Sequence, residues 1–279
     1  MFLKNGKIVP DFPFCQLLMP SCQLLMPFLS ASDAFSVNIY IQKITLCRFS
    51  YITGREKMKN ETIPKTDTKI LRILKYLTGL WLITLGVSIA VRSDLGTAPI
   101  SCIPYTLTLT TGLEMGLGTM LFQIFLVIVQ ILILRRDFPP AHLLEIVISI
   151  LFGFMQTFSN TVTGSVMDQL AFILPVSETL AFRLLMSLMS AFIIACGLCL
   201  YLPAQIMPMP ADGLVQVIAQ KTGRLFSWVK VCFDCTVVTI SGIVCLTVLH
   251  SFGSIGIGTV IAALMVGTFH RMIRKALDI

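Results

Sequence analysis

Apolar positions run nearly unbroken along the last four-fifths of the chain. Six stretches approach or reach the roughly 20 residues that cross a hydrocarbon core about 30 Å thick: Leu71–Val91, Met115–Leu134, Ala141–Thr163, Leu180–Leu202, Trp228–His250 and Ile255–His270. Two further apolar stretches, Pro99–Thr111 and Pro210–Thr222, have 13 residues each. As helices they would be about 20 Å long, too short to cross. In the first, "YTLTLTT" alternates as a strand does. In a bilayer, helix is favoured, with threonine hydroxyls bonding back to the preceding turn.

Each short stretch follows an irregular one. "SDLGTAPISCIPYTLTLTTG" (Ser93–Gly112) and "AQIMPMPADGLVQVIAQKTG" (Ala204–Gly223) both place proline at the start and glycine just past the end, the expected helix punctuation. A shift of 111 residues superposes Gly86 on Gly197, Pro99 on Pro210 and Thr111-Gly112 on Thr222-Gly223. Only four of 27 aligned positions are identical, so the matching roles carry the repeat, not the identity. Each half holds three long stretches and one short one. Three is odd, so the halves have opposite orientation. Inverted repeats interrupted at corresponding positions point to a transporter's binding site. The stretches Arg92–Ala98 and Pro203–Met209, if extended, span about 23 Å at 3.3 Å per residue. The short helices could then begin at the bilayer middle with free N–H groups facing a cavity, which favours anionic groups. The alternative is that both lie flat in the interface.

Composition agrees with a membrane protein. Of 279 residues, 56% are hydrophobic and 13% charged, against about 25% charged in soluble domains. Mean hydropathy is +0.87. The net charge of +7 then concerns orientation, and nucleic acid is not an expected partner. If the six long stretches cross and Lys57–Lys75 is cytoplasmic, Arg135/Arg136, Lys221/Arg224 and Arg271/Arg274/Lys275 fall on the same side, while Asp168 and Glu178 lie outside. Eight crossings break this positive-inside pattern. The expected fold is therefore all-α, with six transmembrane helices as two inverted three-span repeats and a short re-entrant or interfacial helix in each. The boundaries are a polar cytoplasmic lead-in 58–70, repeats 71–163 and 180–270, an external loop 164–179 and a basic tail 271–279. Both termini are expected to be cytoplasmic.

Residues 1–57 differ. They contain the duplication "CQLLMPS"/"CQLLMPF" (Cys15–Phe28), and prolines break every apolar run. A signal peptide is one reading, from Lys4 and Lys7 before an apolar stretch. The preferred reading is that translation starts at Met58 and that the upstream segment is disordered, lies at the membrane surface or is not part of the native protein.

Charges at membrane depth are costly and are functional suspects. Lys230 and Asp234 lie four apart and can pair on one helix face, as a structural pair or as an ion-coupling site with Glu145. Asp94 and Asp212 flank the two breaks, and with Gly96, Pro99 and Pro210 they are the candidate substrate-binding residues. Asp212 could equally be a first-turn acid favoured by the helix dipole. His142, His250 and His270 all fall near span ends, and no metal cluster or cofactor is expected. Of nine cysteines, two pairs have CxxC spacing, Cys196/Cys199 and Cys232/Cys235; each shares a helix face, so a metal site or redox pair is one reading, and the stronger one is that cysteine in an apolar run serves as a small hydrophobe.

The stretches "GVSIAVRSDLGTAPIS", "GLCLYLPAQIMPMPADGL" and "SIGIGTVIAALMVG" resemble the YczE/YyaS/YitT family of bacterial integral membrane proteins over roughly Leu71–Arg274. The resemblance implies a multi-pass protein of the bacterial cell membrane and little about activity. Met207 stands where Gly96 stands in the first copy, a departure from strict equivalence of the breaks. The leading function is a secondary transporter or permease of a small solute, its site between the repeats and the lipid bilayer its setting; a homo-oligomer is compatible with it. A half-helix channel and a non-transporting scaffold or regulatory protein are the alternatives. No nucleophile–base set supports an enzyme, and no nucleotide motif supports ATP-driven transport.

Overall fold

The computed structural model describes residues 2–4, 7–9, 69–135, 138–173, 179–204, 206–250 and 253–276. Two short strands near the start, β1 (Phe2–Lys4) and β2 (Lys7–Val9), form an antiparallel hairpin. The rest of 1–57, the Met58 start and most of the 58–70 lead-in lie outside the described residues.

From Lys69 onward the described chain is helical. It runs α1 (Lys69–Arg92), a 3-10 turn (Pro99–Ser101), α2 (Cys102–Thr111), α3 (Met115–Leu134), a 3-10 turn (Pro140–Leu143) and α4 (Leu144–Ile173). It continues as α5 (Leu180–Ala204), α6 (Pro210–Thr222), α7 (Phe226–Val244), a π turn (Cys245–Leu249) and α8 (Ile257–Ala276). Five helices are long and apolar enough to cross a membrane: α1, α3, α4, α5 and α7 with its π turn. Apolar side chains such as Phe125, Leu132, Phe154 and Phe158 are more than half exposed on their outer faces. A soluble bundle does not present so wide an apolar surface. α8 has 20 residues, but Arg271, Arg274 and Lys275 occupy its last turns, and it is not among the five.

Helix punctuation falls where the sequence placed it. Pro99 begins the first short segment and Pro210 begins α6. Gly112 and Gly223 follow with φ of 72° and 63°, the left-handed conformation that ends helices. The alternating threonines are helical: Thr108, Thr110 and Thr111 donate to carbonyls one turn back. Two expectations fail. The loop expected at 164–179 is helical through Ile173, because its apolar residues extend α4 by almost three turns. The first break is not extended either; Asp94 and Gly96 have φ of 53° and 100°, so the chain turns back on itself.

α1 and α5 form the most extensive contact, and glycine permits it. A β-carbon at Gly79 would lie 2.8 Å from the Tyr201 nitrogen and 2.9 Å from the Gly197 oxygen; one at Gly197 would lie 2.8 Å from the Gly79 oxygen. Such backbone approach is the usual basis of helix association in lipid. The Ser190 hydroxyl adds a 2.8 Å bond to the Gly86 carbonyl. Around this crossing lies the main core, with Tyr76, Leu80, Ile83, Val87, Ile148, Phe152, Ile194 and Tyr201. α4 packs against α1 and α3, α8 packs along α5, and α6 is held against α3 and α7.

Candidate functional site

The second break is pinned at both ends. Arg72 Nη2 donates to the last α5 carbonyl, Ala204, at 2.9 Å. Tyr76 donates its hydroxyl to the Met207 carbonyl at 3.1 Å, and Tyr201 Oη accepts the Met209 N–H at 2.6 Å. α6 therefore starts inside the bundle. Pro210, Ala211, Gly213 and Leu214 of its first turn are buried, and no side chain caps it.

Three other helices converge on that turn. Gln130, wholly buried on α3, donates Nε2–H to the Pro210 carbonyl at 2.9 Å and to Glu145 Oε2 at 2.8 Å. The carbonyl fixes the amide's orientation, since a flipped amide would set oxygen against oxygen. Glu145, on α4, is 0% exposed, and its other oxygen is hydrogen-bonded to His142 Nδ1. Gly213 closes the fourth side: a β-carbon there would lie 3.0 Å from both Glu145 oxygens and 3.1 Å from Gln130 Nε2. From α7, Lys230 reaches Asp212 Oδ1 at 2.9 Å and Asp234 Oδ1 at 3.6 Å.

A cavity of about 200 Å³ adjoins this arrangement, lined by Leu134, Pro139, His142, Gly213, Gln216, Val217 and Gln220. Its walls run along one face of α6, from exposed Gln220 and Gln216 down to buried Gly213. His142 is 26% exposed and joins the cavity to Glu145.

The first break is closed by the segment that precedes α8. Asp94 is 65% exposed and pairs with Arg183 at 3.3 Å. A β-carbon on Gly96 would lie 2.6 Å from the Gly256 nitrogen, and the Leu95 carbonyl accepts the Gly258 N–H at 2.7 Å. Behind this contact the hydroxyls of Thr106, Ser241 and Ser254 bond to one another, with Cys245 against them.

Of the residues singled out by sequence, Pro210, Asp212, Glu145, Lys230 and Asp234 thus meet at one helix start; Asp94 and Gly96 make their contacts with Arg183 and Gly256, while Ile100, beside Pro99, packs against the cluster that includes Ala211 and Leu214 of α6. The lysine's shorter contact is to Asp212, across helices, and not to Asp234 on its own helix. Gln130 and His142 were not expected. Gln130 carried a signal, one of two amides, with Gln123, in an otherwise apolar span. His142 carried none, since only the fold shows that its span end is a cavity wall. Among the described residues no group of histidine, cysteine and carboxylate side chains could hold a metal, and six cysteines are free thiols.

With this geometry the chain can be compared with known proteins. Residues 70–275 match a family of unknown function, DUF6198. The chain belongs to that family. It is similar to the uncharacterized membrane protein YczE of Bacillus subtilis (strain 168), 25% identical over 203 residues, which is 72% of this chain and 85% of that one. It is also similar to the uncharacterized protein YyaS of the same organism, 25% identical over 202 residues, covering 71% and 89%. The resemblance to YczE and YyaS is therefore real, and the protein is a multi-pass membrane protein. No solved structure matches it.

Proposed function

We propose that the protein is a secondary transporter of a small solute, with its site at the first turn of α6. One observation carries the reading. An uncapped helix start, buried inside the bundle, is held by ionisable and amide side chains from three other helices, and a cavity reaches it. Buried ionisable groups at membrane depth are expensive, and they mark ion and substrate pathways. Two carboxylates, Asp212 and Asp234, pair with Lys230, and a third, Glu145, lies against Gly213 of the same turn. This balance favours a cation or a proton at the site over the anionic group that a bare helix start would attract.

Six crossings in two inverted repeats complete the proposal. Support comes from the reciprocity of the α1–α5 contact. Shifted by 111 residues, Gly79 becomes Ser190, Ile83 becomes Ile194 and Gly86 becomes Gly197. Gly79 approaches Gly197 while Gly86 approaches Ser190; Ile83 lies against Gly197 while Ile194 lies against Gly86. Contacts that exchange in this way are the signature of a two-fold axis. α4 on α1 likewise corresponds to α8 on α5, and α6 on α3 to α2 on α7. On this reading α8 is the sixth crossing, its basic end in the headgroups, and both termini face the cytoplasm of a bacterial cell. α6 is re-entrant.

The test is uptake by reconstituted vesicles. A panel of small cationic and neutral solutes is offered with and without imposed proton and sodium gradients. Gradient-dependent accumulation that is lost in Asp212→Asn supports the transporter. Flux that only follows the solute's own gradient supports a channel. No flux together with a stably co-purifying partner supports a scaffold.

A further inference from the structure

We propose that the coupling ion of this site is a proton, held by Glu145 and delivered from the cavity by His142. This rests on the transporter reading and names the ion that its site takes. The surroundings of Glu145 decide the chemistry. A hard cation such as sodium needs several oxygen ligands around the carboxylate. Here the groups touching the two oxygens are nitrogens, His142 Nδ1 and Gln130 Nε2. The remaining side is filled by the Gly213 backbone, so closely that even a methyl group would lie 3.0 Å from both oxygens. Gln130 turns its oxygen away, and that buried oxygen has no hydrogen bond. There is no room and no donor set for a metal ion, while a proton needs neither.

His142 is the one partner that can pass a proton. It lines the cavity, its side chain is 26% exposed, and it touches a carboxylate that is 0% exposed. A hydronium ion in the cavity gives a proton to Nε2 of the imidazole and leaves as water. The Nδ1 proton then moves to Oε1 of Glu145, leaving a neutral imidazole protonated on Nε2 and a carboxylic acid. No other bond changes. The other titratable groups around Glu145 are the phenols of Tyr76 (α1) and Tyr201 (α5) and, beside Gly213, Asp212 (α6) with its partner Lys230 (α7); α3 contributes only neutral Gln130. Neutralising Glu145 removes a negative charge from beside the first turn of α6 and weakens the charge-assisted bond from Gln130. Because Gln130 also holds the Pro210 carbonyl, the proton acts on the start of α6.

The experiment is infrared difference spectroscopy of the full-length purified protein after a pH jump, with sodium chloride or N-methylglucamine chloride as the only salt. The expected result is a carboxylic acid band that titrates identically in both salts and is absent from Glu145→Gln. In His142→Asn, whose amide keeps a donor to Glu145 but cannot relay, the same band should form about 10²-fold more slowly, the usual scale of general acid–base assistance. His142 is partly exposed, so this variant reports even if Glu145→Gln fails to insert; Glu145→Asp, which shifts the band, then assigns it. A band that belongs to another residue, that forms at wild-type rate in His142→Asn, or that moves with sodium overturns the proposal. These readouts need no flux. A titrating Glu145 in a protein that moves no solute sinks the transporter alone, and proton-driven flux that survives in both variants sinks the relay alone.

Discussion

Gly213 rests on the Glu145 carboxylate, with no space between them for a side chain. A β-carbon would approach both oxygens to 3.0 Å, closer than buried atoms normally pack. Gly213→Ala should therefore destabilise the fold by about 1–3 kcal/mol through overpacking. Removing the obstacle should recover part of that: Gly213→Ala/Glu145→Ala should cost less than the sum of the two single changes. Gly112→Ala is the control. It has nothing within 4 Å but a φ of 72°, so its strain should add independently to Glu145→Ala. Melting temperatures of the purified variants decide this, and additivity at Gly213 would mean that the contact is not tight.

The Lys230 bridge should show the asymmetry of buried ion pairs. Removing one partner leaves an uncompensated charge, at about 3–5 kcal/mol for fully buried pairs and less for groups as exposed as these. Lys230→Met strands both Asp212 and Asp234. Lys230→Met/Asp212→Asn strands only one, and should melt higher than the single variant. If the double variant melts lower, the aspartates are held by something other than the lysine.

The two breaks should behave differently. Asp94→Asn removes an exposed pair with Arg183, a kind of contact worth about 0–1 kcal/mol, and should leave expression and uptake near wild type. Pro210→Ala frees the φ angle that sets where α6 begins and allows Met209 to turn helical. The Pro210 carbonyl would then shift from Gln130, and uptake should fall at normal protein levels. Equal loss in Asp94→Asn and Pro210→Ala would mean that both breaks serve the site.

Topology can be tested independently of function. In a background without reactive thiols, Asp137→Cys should be protected from an impermeant reagent outside intact cells, and Gln169→Cys, exposed near the end of α4, should be labelled. The reverse pattern, or equal labelling, contradicts six crossings with cytoplasmic termini.

Much of the fold was legible because its signals are local. Pro99, Pro210, Gly112 and Gly223 mark helix ends through their own backbone chemistry, and Met115–Leu134 was bounded by composition alone. The site was legible in part. Asp212, Lys230 and Asp234 stood out as charges in apolar surroundings, whichever neighbours they found. What stayed hidden depends on long-range packing. Nothing near Asp94 says that Gly256 and Gly258, some 160 residues on, will close that break. Nor does anything near His142 say that α6 will leave a cavity beside it.

Gly79 and Gly197 bring the two backbones themselves into contact, with the Ile83 and Tyr201 side chains close beside them. Two helices that meet through side chains can slide by exchanging rotamers, one ridge over the next. Two that meet backbone on backbone, with a hydroxyl from Ser190 tied to Gly86 one step away, have no such intermediate positions. They can tilt about the point of contact, as a pair of crossed rods tilts about its touching point, but they cannot travel along each other. For a bundle built around these two rods, that leaves rocking as the cheap motion and makes shear the costly one.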